Sequence, residues 1–310
     1  MGIGKRIDDN SIVSAKKEYV YELTKPKFTL QDLILPSETW ASVGDFLAYK
    51  KHENLIFQSW GLAETHQQQR QMAINLYGDS GIGKTLAAHA IANELQRPLL
   101  IVDYAAVESK YVGETSKNIT QIFNQAKEQQ AIIFFDEADA ILSRRVTNMT
   151  QATDTSVNQT RSVLLTLMND HDGLIIFTTN FIENYDPAFL RRILAHIKFN
   201  LPDVACRELL WRKYIPSNLP HNTNYRSLAD ISEKLSGSDI SNCVLKAALS
   251  AARKGANQLD ISYFQQAITE IISSKCASLN KSEIKINERI VEESYVKSQI
   301  GEQVVEELKL

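Results

Sequence analysis

Residues 73–96 read AINLYGDSGIGKTLAAHAIANELQ. AINLY is a short, mostly apolar run. GDSGIGKT (78–85) is rich in glycine, and TLAAHAIANELQ carries Ala, Leu and Ile at helical spacing. Strand, tight turn and helix therefore follow one another. The turn fits GxxxxGK[ST] in the context that pattern needs, after a strand and at the start of a helix. Its glycines let the backbone N–H groups of Gly78, Asp79, Ser80, Gly81, Ile82 and Gly83 curl around a phosphate. The helix N-terminus at Lys84, Thr85 and Leu86 adds partial positive charge. Lys84 is expected to reach the β- and γ-phosphates, and the Thr85 hydroxyl to ligate Mg2+. The competing reading is a chance Gly-rich turn, which would need neither the Lys-Thr pair nor the flanking elements.

The pattern continues outward. LLIVDY (99–104), AIIFFD (131–136) and LIIFTTN (174–180) are apolar runs with β-branched and aromatic residues, as in strands of a parallel sheet buried on both faces. NITQIFNQAKEQQ (118–130) reads as a helix between two of them. The alternation predicts a doubly wound α/β domain. Upstream, VYELTK reads as one strand, DLILPSETW as an apolar segment stopped by Pro36, and SVGDFLAYKKHENLIFQSW as a helix with Val43, Phe46, Leu47 and Tyr49 near one face. TNMTQATDTSVNQT (147–160) reads as a polar, Thr-rich loop. After NLPD (200–203) the strands stop, and RELLWRKYI, SLADISEKL, SDISNCVLKAALSAARKG and DISYFQQAITEIISSK all read as helices. We therefore divide the chain into an extension (1–27), a large α/β part (28–200), a small helical part (201–276) and an amphipathic C-terminal tail (277–310).

Composition limits the function classes. The 310 residues are 44% hydrophobic and 23% charged with a net charge of −3, so no global basic field draws nucleic acid or an anionic membrane. Cys206, Cys243 and Cys276 have neither CxxC nor zinc-ligand spacing and read as three reduced, buried thiols. No apolar run approaches the ~20 residues of a membrane-spanning helix. Gly2 is followed by Arg6 where a myristoylation signal wants Ser or Thr, and no signal-peptide core is present. A cytoplasmic location is expected.

FFDEADA (134–140) ends the strand AIIFFD. Downstream of a phosphate-binding loop, Asp136 at that strand end can hold Mg2+ directly or through water. Glu137 is placed to polarise an attacking water, a task for a carboxylate near the γ-phosphate. Taken alone, Asp-Glu at a strand end is more often a pair of solvated acids.

Taken together, these motifs resemble those of AAA+ ATPases, most closely the AAA subgroup that includes katanin, spastin and many bacterial remodellers, over residues 31 to 275. The fold this implies is a P-loop α/β domain with a parallel sheet, followed by a small α-helical lid. The cofactors it implies are ATP and Mg2+. By the resemblance, TTN (178–180) supplies a polar sensor, Asn180, at the γ-phosphate or the attacking water. YDPAFLRRILAHIKFNLPD (185–203) supplies Arg191 and Arg192 as arginine fingers for ATP bound by a neighbouring subunit. A guanidinium suits that task because it presents a planar fork to charge developing on phosphate oxygens; which arginine does more is left open. SGSDISNCVLKAALSAARKG (236–255) places Gly237 and Ser238 near the nucleotide. Leu33 to Leu35 would hold the adenine, although Pro36 departs from the family's glycine. SKYVGETSKN (109–118) carries Tyr111, Val112 and Gly113, matching an aromatic–aliphatic–glycine loop that faces a central pore. The Thr-rich stretch falls where the family has its second pore loop.

The function this implies is a ring, a hexamer, that couples ATP hydrolysis to unfolding or disassembly of a threaded protein client. Remodellers of HORMA-domain signalling proteins are one home for such a chain. Neither a membrane nor nucleic acid is an expected partner. The rival readings are a loader acting on nucleic-acid complexes and an ATP-binding ring scaffold with little turnover.

Overall fold

The structure is a computed structural model that describes residues 21–65, 72–102, 114–143, 152–180 and 185–282. By packing, the chain parts into two compact units, Met1–Ala267 and Ile268–Leu310. The sheet and the candidate site lie in the first.

Six strands form one sheet: β1 (Tyr21–Thr24), β2 (Met72–Tyr77), β3 (Leu99–Val102), β4 (Ile132–Phe135), β5 (Leu174–Thr179) and β6 (Ala195–Lys198), in the order β1-β3-β4-β5-β2-β6. Every pairing is parallel except β1 with β3. The expectation of a parallel sheet therefore holds for its body, with an antiparallel strand on one edge. A short antiparallel edge strand covers the free N–H and C=O groups that β3 would otherwise present.

Period-two alternation sends each strand's side chains to two different cores. Ile133, Phe135, Ile175 and Phe177 pack on one face with Ile119, Ile122 and Phe123. Ile132, Phe134, Leu174 and Ile176 pack on the other with Ala87, Ala88 and Ile91. This two-sided burial is why the strands read as unbroken apolar runs. Phe135 and Phe177 stack across β4 and β5 with centroids 5.2 Å apart.

Helix α1 (Ser37–Lys51) starts directly after Pro36 and ends before a π-helical turn at Leu55–Ser59. It buries Val43 and Phe46, so the predicted face is right although the single long helix is two pieces. Helix α2 (Lys84–Glu94) follows the glycine-rich turn. Helix α3 (Glu114–Glu128) buries Ile119, Ile122, Phe123 and Ala126, an i, i+3, i+4, i+7 stripe.

Helix α4 (Ala152–Asp170) corrects the sequence reading, which had a loop over 147–160. Threonine is a weak helix former, but Leu164, Leu165 and Met168 are buried in the core and anchor the helix. Tertiary packing of an apolar face outweighs local propensity. Helices α5 (Val204–Tyr214), α6 (Tyr225–Ile231), α7 (Gly237–Arg253) and α8 (Ile261–Ser282) follow. Buried Arg207 of α5 donates to the carbonyls of Pro202 and Ala229 at 2.8 and 2.9 Å, and Trp211 donates to the Ser232 hydroxyl at 3.0 Å. Cys206 and Cys243 are buried thiols whose pKa burial pushes up to about 12. Cys276 is exposed, contrary to the reading of three buried thiols.

Candidate nucleotide site

The chain leaves β2 at its C-terminal end and re-enters the sheet at β3, beyond β5 and β4. The carboxyl ends of parallel strands at such a switch are where open α/β sheets place ligands. Here Gly78, Asp136 and Asn180 follow β2, β4 and β5 on the same edge.

The turn after β2 is built from residues that need glycine. Gly78 has φ 139° and a Cβ there would lie 2.3 Å from the Phe199 carbonyl oxygen. Gly81 has φ 77°, and its Cβ would meet the Ser236 and Ser238 side chains at 2.8–2.9 Å. The Gly81 carbonyl accepts from the Ser238 N–H at 3.1 Å, so the turn rests on the first residues of α7. Ser236 caps that helix in a reciprocal box with Asp239.

Lys84 is buried at 9% exposure. Its ammonium donates to the carbonyls of Gly78 and Asp79 at 2.7 and 2.6 Å and to Asn180 Oδ1 at 2.9 Å. All three of its N–H donors are used. Burial lowers its pKa from the ordinary lysine value, and the carboxylates of Asp136 and Asp79 act the other way. Thr85 Oγ1 donates to Asp136 Oδ2 at 3.0 Å. Asp136 also accepts from the Thr178 hydroxyl, and that same hydroxyl oxygen accepts from the Glu137 N–H at 3.0 Å. The Glu137 carboxylate is exposed, on a backbone held at φ 51°. A non-glycine residue in the left-handed region costs energy and persists where its surroundings demand it.

One cleft brings together Ser80 to Leu86, Asp136, Glu137, Asn180, Gly237 and Ser238. The loop Leu33–Pro36 lines the same cleft, and Leu33 and Leu35 are buried.

The profile of the AAA family, ATPase family associated with various cellular activities, matches residues 74–201. The chain carries an AAA ATPase domain. Curated proteins similar to it include a "Proteasome-activating nucleotidase" from Methanocella arvoryzae, 32% identical over 66% of this chain and 51% of the relative. A "26S proteasome regulatory subunit 4 homolog" from Schizosaccharomyces pombe is 30% identical over 77% of this chain and 56% of the relative. An "ATP-dependent zinc metalloprotease FtsH" from Ureaplasma parvum is 30% identical over 64% and 28%. The chain spans about half the length of the proteasomal relatives it matches.

The cofactors of an AAA ATPase domain are ATP and Mg2+, and the residues present fit them. A buried cation lies among glycines that a Cβ would crowd, and the Thr85–Asp136 pair supplies hard oxygen donors of the kind Mg2+ takes.

Among the expected site residues, Gly78, Asp79, Arg191 and Arg192 lie outside the cleft lining. Arg191 and Arg192 follow the single helical turn Pro187–Leu190, capped by Asp186. Arg192 is tied down: Nε donates to Asn169 Oδ1 and a terminal nitrogen to the Ala188 carbonyl, both at 2.8 Å. Arg191 is exposed, and its guanidinium makes no hydrogen bond or ion pair among the described residues. Tyr111, Val112 and Gly113 lie outside the described residues, as does the start of the expected second pore loop.

The structure also places at or beside the cleft residues that the sequence reading missed. Thr178 and Thr179 are buried at the end of β5. Asp139, three residues beyond Asp136, accepts from the Thr179 hydroxyl and from the Asn180 N–H at 3.4 Å. Lys213 and Tyr214, at the end of α5, line the cleft, and Lys213 donates to the Asp32 carbonyl at 2.8 Å. Spacing along FFDEADA could have flagged Asp139. Nothing local marks Lys213 or Tyr214.

No helix among the described residues is long and apolar enough to cross a membrane.

Proposed function

We propose that this chain is a Mg2+-dependent ATPase that assembles into a homo-oligomeric ring, a hexamer, and uses hydrolysis to pull a protein client through a central pore. The observation that carries the reading is the convergence of Lys84, Asp136, Asn180 and Glu137 at one edge of the sheet, with the first three held by hydrogen bonds and the fourth exposed. Lys84 exchanges one or more of its internal acceptors for phosphate oxygen when nucleotide enters. Thr85 and Asp136 hold Mg2+, which when bound neutralises charge developing on the phosphates. Glu137 takes the proton of the attacking water, and Asn180 holds that water or the γ-phosphate by hydrogen bonds. Leu33 to Leu35, Gly237 and Ser238 complete the pocket around the adenosine. Arg191 projects toward ATP on the next subunit, while Arg192 holds the turn that presents it. In this reading residues 28–200 act as the large ATPase part, 201–276 as a lid, and the pore contact falls to Tyr111, Val112 and Gly113. The proteasomal and FtsH relatives support a protein as the client. The resemblance to bacterial remodellers makes a HORMA-domain signalling protein the first client to try, and the cytoplasm the proposed location.

Glu137→Gln tests the chemistry. The amide keeps the shape but is no base, and general-base catalysis is worth roughly 10²–10⁴-fold. Turnover should fall by that factor while Mg-ATP still raises the melting temperature. Turnover within threefold of wild type removes Glu137 as the base. Tyr111→Ala tests the client: basal ATPase should stay near normal and client unfolding should stop. Full unfolding by Tyr111→Ala sinks the pore assignment. ATPase stimulation by DNA rather than by protein would turn the reading to a loader.

A further inference from the structure

We infer that Asp139 is a positioning residue for hydrolysis, holding Asn180 in place and joining it to the segment that carries the arginines. This rests on the reading of Asn180 as a residue that acts at the γ-phosphate. Asp139 opens a single helical turn, Asp139–Leu142, that follows β4 and Glu137. It is half-buried, and both carboxylate oxygens are used across the strand gap. Oδ1 accepts the Thr179 hydroxyl, and Oδ2 accepts the Asn180 N–H at 3.4 Å. Asn180 Oδ1 in turn accepts from Lys84. An ionised acceptor strengthens such bonds relative to neutral pairs. Asp139 thus holds the backbone at the one residue whose side chain touches the buried lysine from β5.

The other end of the same turn holds a different segment. The Leu142 carbonyl accepts from the Asp186 N–H at 2.9 Å, and Ser143 forms an antiparallel bridge with Tyr185. Asp186 caps the turn that leads into Arg191 and Arg192. Buried Arg161 props the junction, donating to the Ser143 hydroxyl at 2.6 Å and to the Ile141 carbonyl at 3.2 Å. Tyr185 is 1% exposed and its hydroxyl donates to Asn75 Oδ1 at 3.4 Å, in the middle of β2. Asn75 is fully buried, and its Nδ2 has no partner among the described residues. A polar chain with a carboxylate at one end therefore runs beneath the cleft, where a simple core would have apolar side chains. Such a network is costly unless its geometry is used. One short turn therefore contacts both the residue proposed for the cis phosphate and the root of the arginine segment.

The test is a double-mutant cycle on the full chain with Asp139→Asn, Asn180→Ala and the double variant, reading kcat, KM for ATP and melting temperature. Asparagine keeps one acceptor for Thr179 but cannot accept at both sites. Asp139→Asn should lower kcat roughly 10–100-fold, the range that outer partners of functional groups cost, with KM within about threefold and stabilisation by Mg-ATP retained. The double variant should lose no more than Asn180→Ala alone, because residues that act through one another are not additive. Wild-type kcat in Asp139→Asn, or multiplied losses in the double variant, would overturn the proposal. Should Asp139→Asn fail to fold, Thr179→Val removes the bond that orients the Asp139 carboxylate toward the Asn180 N–H and must show the same non-additivity with Asn180→Ala. Wild-type kcat in Asn180→Ala itself would overturn the site reading on which the proposal rests, a result distinct from the others.

Discussion

The phosphate end of the cleft and the turn that carries Arg191 are built on opposite principles. At the phosphate end the inward-facing charged groups are already engaged: Lys84 has three acceptors, Asp136 holds Thr85 and Thr178, and Asp139 holds Thr179 and Asn180. The Glu137 carboxylate stands exposed, as does that of Asp79 in the turn itself. At the arginine turn one guanidinium is clamped and its neighbour is unengaged among the described residues. Groups that serve the chain's own ligand can be preorganised by that chain, which lowers the reorganisation needed at reaction. A group meant for a neighbour's ligand has to be left without partners at home. The two adjacent arginines, identical in sequence terms, fall on either side of that division.

The largest effect expected from breaking this contrast is in Arg191→Ala. If Arg191 completes a neighbour's site, the loss in turnover should be on the order of 10³–10⁵, as for finger arginines in related phosphoryl transfers, with Mg-ATP binding intact. Mixing Arg191→Ala subunits with Lys84→Ala subunits should restore part of the activity, because each supplies what the other lacks. No rescue, together with turnover independent of protein concentration, would show that the arginine acts within its own chain or not at all.

Arg192→Ala should cost less. It removes two hydrogen bonds from a half-buried side chain, worth about 1–3 kcal/mol with exposure holding it to the low end, so the melting temperature should drop by a few degrees. Turnover should fall at least tenfold less than in Arg191→Ala. Arg192→Lys should restore stability only in part, since lysine cannot make both contacts of the planar fork. Equal turnover losses in the two alanine variants would erase the distinction between clamped and free.

Gly81→Ala probes the closed end. Its Cβ would meet two serine side chains at 2.8–2.9 Å, on a backbone at φ 77°. Strain of about 1–3 kcal/mol is expected, along with weaker Mg-ATP binding as the turn parts from α7. Thermal shifts with and without nucleotide would separate the two effects, and unchanged nucleotide stabilisation would argue that α7 does not brace the turn.

The smallest effect concerns acid. His171 is buried just beyond α4, the helix whose Asn169 clamps Arg192, and packs edge-on against Phe123 with centroids 5.2 Å apart. Burial, its largest influence, lowers its pKa below the ordinary histidine value, with the Asp172 carboxylate opposing. Above about pH 6.5 it is neutral in both folded and unfolded chains and contributes no pH dependence. Below that, the unfolded chain takes up a proton the folded site resists, so stability falls as the pH drops toward the folded pKa. His89 and His196 are shifted the same way by burial. His171→Phe should flatten, without abolishing, the decline in melting temperature between about pH 6.5 and 5. An unchanged slope would assign it to other groups.

How much of this was legible in the sequence follows from how local each signal is. GDSGIGKT, the strand ends at Asp136 and Asn180, and the helices α2 and α3 were readable because glycine torsions, apolar runs and helical stripes are properties of a few neighbouring residues. Strand β6 was missed because AHIK has only one fully buried residue, Ile197, and becomes a strand by pairing with β2. The N-terminal turns of α4 were read as loop because their helicity is secured by Leu164, Leu165 and Met168 further along. Sequence alone therefore determined the phosphate-binding turn, its lysine and the acidic strand end, all of them short-range chemistry. Only the tertiary structure decided that Arg192 is clamped while Arg191 is not, that Asp139 bridges two segments, and that Lys213 and Tyr214 line the same cleft as Leu33 to Leu35. Each of those depends on residues far apart in the chain meeting across the sheet edge, and no spacing along the sequence records such a meeting.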